Sequence, residues 1–170
     1  MVKKQDSIAV ANFIIEKALD RKKPVTNLQL QKIMFLLQGY WLEKKGQELF
    51  CEKINHGRMQ PLIFSVEKEF KCWASAPIEN KAFYFSQSEN RIKEPKVTKK
   101  AAKKLKKITN KMLDYNRRNL ICLFFETDMD KQPTTIKDEY TKQTWTNFME
   151  YQPDEIIQKY RDVTEKLAKC

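Results

Sequence analysis

Glycine is almost missing from this sequence, with three in 170 residues, at Gly39, Gly46 and Gly57. Phosphate-cradling loops need glycines at close spacing, so neither a P-loop nor a dinucleotide fingerprint is present, and nucleotide-dependent chemistry is not expected. Histidine occurs once, as His56. The cysteines Cys51, Cys72, Cys122 and Cys170 are widely separated, and no pair has the two-residue spacing of a zinc knuckle or redox motif. Buried or incidental thiols are the expected reading, and neither a metal nor a cofactor is expected. No apolar run approaches the roughly 20 residues of a membrane span, and the polar stretch from Met1 to Ser7 lacks a signal-peptide core. A cytoplasmic protein with no membrane contact is expected. Internal repeats and Gly/Ser-rich linkers are also missing, so residues 1–170 are read as one domain.

Enough apolar residue is present to fold, at 41% hydrophobic and 11% aromatic. Charge is unevenly placed. From Arg91 to Arg118 there are twelve basic residues against only Glu94 and Asp114, a local balance of +10 out of +11 for the whole chain. The rest is close to neutral, so residues 91–118 alone make the protein basic.

Helical periodicity dominates and predicts a mainly α domain with one minor strand pair. Ile8, Ala11, Ile14, Ile15, Ala18 and Leu19 form a stripe after Asp6 or Ser7, either of which can cap, and the helix stops before Pro24. Thr26 to Gln29 is a capping box, and the helix it opens carries Leu30, Ile33, Met34, Leu37 and Trp41 before ending at Gly46. Its broad apolar coverage places it centrally. Pro61 suits the first turn of a helix carrying Ile63, Val66 and Phe70. Residues 82–86 are the best strand candidate, with the segment around Phe50 as the expected partner. Thr98 caps a lysine-rich helix whose inner face is Ala101, Ala102, Leu105, Ile108, Met112 and Leu113. Residues 119–125 are too apolar for exposure, 128–135 read as loop, and Pro153 opens a last helix lined by Ile156, Tyr160, Val163 and Leu167.

The run from Ile8 to Ala18, then Pro24 to Ile33, then Leu37-Gln38-Gly39, resembles the Panacea domain, also called the SocA-like domain. Glu69-Phe70 and Ala74-Ser75-Ala76-Pro77-Ile78 are similar to its later Glu-Phe helix and its Gly-Ser-x-Pro-Ile turn. The similarity covers residues 7–78. Where the family has tryptophan and then Gly-Pro-Val, this chain has Gly57 and then Gln60-Pro61-Leu62. The part from 119 to 170 diverges, keeping at most Glu126-Thr127 and Trp145 of the family's carboxy-terminal pattern. The resemblance implies an antitoxin of a bacterial or phage toxin–antitoxin pair, which neutralises a toxin protein by direct binding. One branch of the family acts instead as an adaptor that delivers its partner to a protease. The motif residues themselves are explained by capping and packing, and are expected to build the scaffold.

Catalytic candidates are sparse. Cys51 and His56 form a nucleophile and base only if the fold joins them, and no local signature surrounds them. Glu126, Asp128 and Asp130 crowd one loop without the glycine or spacing of a calcium hand. No catalytic residue is assigned, and an enzyme is not expected. Lys99, Lys103, Lys106, Lys107 and Lys111 put one sign of charge over a broad helical arc, at a cost of tenths of a kcal/mol per like-charged pair. Such an arc suits an acidic protein or a nucleic-acid backbone, although the scarcity of arginine argues against sequence-specific reading. Tryptophan and tyrosine are enriched at interfaces. Trp73 and Met59, beside the altered Gln60-Pro61-Leu62, are therefore the expected partner contacts, while Trp41 is assigned to the core.

Overall fold

A computed structural model describes residues 3–57, 61–126, 134–137, 144–147 and 149–169. Six helices dominate them: α1 (Ser7–Asp20), α2 (Asn27–Lys45), α3 (Phe64–Phe70), α4 (Lys99–Asp114), α5 (Arg117–Glu126) and α6 (Pro153–Lys169). Three short antiparallel pairs complete the fold: β1 (Asn55–His56) with β2 (Pro61–Leu62), β3 (Tyr84–Ser86) with β4 (Arg91–Lys93), and β5 (Thr134–Lys137) with β6 (Thr144–Asn147).

Helix α2 is the axis of the core and packs against α1, α3, α4, α5 and α6. Both halves of its capping box form, between Thr26 and Gln29, and Gly46 closes it at φ 62°. Leu30, Met34, Phe35, Leu36 and Leu37 are fully buried around its circumference. Asp6, not Ser7, caps α1 by accepting from the Ala9 N–H at 2.9 Å. Helix α6 buries Ile156, Tyr160, Val163 and Leu167 as the periodicity predicts.

The resemblance motifs turn out to carry three buried amides that reach from helices to irregular backbone. Gln31 accepts from the Ile63 N–H at 2.9 Å and donates to its carbonyl at 3.3 Å. Gln38 accepts from Leu49 and Phe50 at 2.9 and 3.3 Å, and donates to the Phe50 carbonyl. Asn12 does the same for Ala82. Each amide satisfies buried backbone N–H groups that lie outside the strands and helices, as a buried chain requires.

Several expectations are corrected. The strand at 84–86 pairs with Arg91–Lys93 and not with the Phe50 segment. A four-residue turn ending on Asn90 at φ 48° closes this hairpin locally, at less entropic cost than a distant partner. Phe50 instead makes one parallel bridge with Gln5. Pro61 lies in β2 opposite His56, and α3 begins only at Phe64 because Gln31 holds Ile63 extended. The expectation that residues 119–125 are too apolar for exposure holds, since they belong to α5, which buries Leu120 and Phe124. Of the two readings for the thiols, Cys51, Cys72 and Cys122 follow the incidental one, being free and exposed. Cys170 and the loop at 127–133 lie outside the described residues.

Trp73 to Ala76 form a type II′ turn, closed by the Ala76 N–H on the Trp73 carbonyl at 2.8 Å. Its first central residue, Ala74, sits at φ 46°, ψ −116°, a conformation that only glycine adopts freely. The related motif has glycine there, which explains the glycine physically. Ala74→Gly is expected to stabilise the protein by about 1 kcal/mol, read as a raised urea midpoint at unchanged slope.

Candidate functional site

Consecutive aromatic residues on a strand point to opposite faces, and a two-stranded ribbon cannot bury both. The hairpin β3–β4 therefore leaves Phe83, Tyr84, Phe85 and Ile92 at 54, 51, 58 and 72% exposure. Isolated exposed apolar residues are ordinary, but Phe85 and Ile92 are register partners, with Phe83 two positions before Phe85. Three large apolar residues grouped this way form a patch of the kind found at interaction sites, with Tyr84 on the other face.

The base of this hairpin is held firmly. Asn12, 2% exposed, accepts from the Ala82 N–H at 2.8 Å and donates to the carbonyls of Ala82 at 2.9 Å and Pro95 at 3.2 Å. One side chain thus grips the strands' approach and exit. Lys81 meets Glu94 at 2.6 Å and Glu16 at 3.6 Å. Burial works against charge on Lys81, but the two carboxylates outweigh it and hold its pKa above the ordinary lysine value. Burial also opposes charge on Glu94, yet Lys81 and Lys96 keep its pKa below the usual range.

Helix α4 lies next to this base. Ala101, Leu105, Thr109, Met112 and Leu113 face the core, and seven lysines occupy about 160° of the remaining circumference at ~100° per residue. Lys99, Lys103, Lys106, Lys107 and Lys111 are all exposed, and among the described residues none has an ion-pair partner. The helix's single acidic residue, Asp114, is already engaged by Arg21. Lys99 and Lys100 also stand at the positive end of the helix dipole, where cations are disfavoured.

Other predicted contacts are placed differently. Pro61 is buried, and Trp73 is half-buried against the core in the turn after α3. Met59 and Gln60 lie outside the described residues, as do Asp128 and Asp130 of the acidic trio. Cys51 is exposed, whereas His56 is buried and stacked on Tyr151 with ring centroids 3.5 Å apart. Among the described residues no three metal-binding side chains converge.

Two buried lysines were not legible from the sequence. Lys32 and Lys159 place their ammonium groups 5.5 and 5.2 Å from the Phe124 ring centroid. Aromatic faces offset part of the cost of burying such cations. The available signal was that α2 is apolar on every side and leaves its one mid-helix lysine no solvent face. The exposed hairpin was also missed as a surface. Its signal was the unbroken Phe83-Tyr84-Phe85 run, which lacks the alternation of a half-buried strand.

A helix-dominated scaffold thus displays an apolar hairpin beside a helix whose lysines have no ion-pair partner among the described residues. A model of the family described as "Antitoxin SocA-like, Panacea domain" matches residues 30–129, more than half of the chain, and the chain belongs to that family. A relative, Antitoxin SocA of Caulobacter vibrioides (strain NA1000 / CB15N), is 36% identical over 62 residues, which cover 35% of this chain and 33% of that protein. The chain thus spans about a third of the length of the curated relative it matches. No solved structure matches. No helix among the described residues is long and apolar enough to cross a membrane.

Proposed function

We propose that this chain is an antitoxin that binds a toxin protein and neutralises it by direct contact, without catalysing a reaction. Family membership supports the role. The observation that carries the binding mode is the exposed hairpin of Phe83, Tyr84, Phe85 and Ile92, clamped at its base by Asn12. Large apolar side chains fixed on a rigid frame lose little entropy when a partner covers them, so a preformed surface of this kind suits steric occlusion. The buried family motifs serve this role indirectly, by holding the frame.

Co-expression with the product of the adjacent reading frame tests the proposal. The expected result is relief of that product's growth inhibition together with a complex that survives affinity purification. Growth inhibition unrelieved, with no complex recovered, would falsify it.

A further inference from the structure

Two grooves flank the segment from Glu94 to Val97. The first, of about 340 Å³, has Ala9, Phe13, Val97 and Ala102 among its walls and Lys103 and Lys106 of α4 on its rim. The second, of about 440 Å³, runs past Ile8 and Ala82 to Phe83 and Tyr84 at the hairpin. Ala9, Glu94, Pro95 and Lys96 line both, so the hairpin, the grooves and the lysine helix form one continuous surface.

We infer that this surface docks an acidic segment of the toxin with an apolar face, whose carboxylates meet Lys103, Lys106 and the neighbouring lysines of α4. The inference rests on the proposed protein-binding function and names the site and the chemistry of the partner. Charge complementarity selects the occupant. Lys17 and Lys96 on the same rim are already paired, with Glu16 and Asp20 and with Glu94. Lys103 and Lys106 have no ion-pair partner among the described residues, and α4 carries seven lysines against one engaged aspartate. Opposite charge from outside would relieve both the lysine–lysine repulsion and the clash with the helix dipole. A phosphate backbone fits less well, because it is charged along its whole length and offers nothing to cover the groove's apolar walls. An apolar-faced acidic segment uses both features.

The test uses the full chain and two probes, the purified polypeptide of the adjacent reading frame and a fluorescent 20-base-pair DNA duplex. Lys103→Glu with Lys106→Glu is compared with Lys45→Glu with Lys166→Glu, an equal charge change on exposed residues of α2 and α6. All four positions are exposed, and circular dichroism verifies folding. Weakening of polypeptide binding by roughly 10-fold or more for the first pair, and under about 2-fold for the second, is the expected result. A complex indifferent to the first pair overturns this inference and leaves the antitoxin reading standing. No complex with unsubstituted protein overturns both. Tighter binding to the duplex than to the polypeptide, lost in the first pair, overturns the inference in favour of nucleic acid.

Discussion

Replacing Asn12 by leucine is expected to lower stability by on the order of 3 kcal/mol and to release the hairpin from the body of the protein. Leucine keeps the branching and the number of side-chain heavy atoms, so most of the loss is polar. Three hydrogen bonds disappear, to Ala82 twice and to Pro95 once. Each contributes about 1 kcal/mol, and a buried backbone group left without a partner costs about 1 to 3. The Lys81–Glu94 pair, partly exposed, is too weak a tie to hold the base alone. Hydrogen exchange should therefore accelerate across residues 83–94 by more than it does in α2. If the proposed function holds, binding of the partner should fall with it, because the aromatic side chains would need ordering at the moment of contact. Uniform acceleration throughout the chain would mean that Asn12 stabilises the fold without specifically positioning the hairpin.

Gly39→Ala carries the second large effect. Helix propensity alone favours alanine by about 1 kcal/mol. The added methyl, however, would stand 2.4 Å from Tyr160 Cβ and 3.1 Å from the Ile156 carbonyl. Both obstacles are close to the backbone of α6 and cannot swing aside, so α2 and α6 must separate. Overpacking of this kind costs about 1 to 3 kcal/mol or more, and the net expectation is a destabilisation of about 2 kcal/mol. For a chain of this size that lowers Tm by roughly 4 to 8 °C, measurable by circular dichroism. An unchanged or raised Tm would show that the two helices have room to part. Tyr160 offers a local probe, since burial, then Glu43 and nearby tyrosines, push its pKa up to about 12.

Local signals set much of this protein's architecture. The capping box at Thr26 and Gln29, the Gly46 stop, the stripes of α1 and α6 and the Thr98 cap on α4 all depend on residues within a turn or two of one another. Those interactions are local, which is why periodicity and capping located α1, α2, α4 and α6 and the lysine arc. The same locality hid other features. Asn12 and Ala82 are 70 positions apart, and nothing in either neighbourhood announces that one amide will clamp the hairpin. Lys32 looks like a surface residue until five helices close around α2 and bury it. Pro61 reads as a helix opener, yet Gln31 holds the following residue extended and moves the start to Phe64. The sequence by itself determined α1, α2, α4 and α6, their inward faces and the concentration of charge on α4. Only the tertiary structure decided that this charge would border a groove and an aromatic hairpin, because such adjacency comes from buried amide and packing contacts between distant segments.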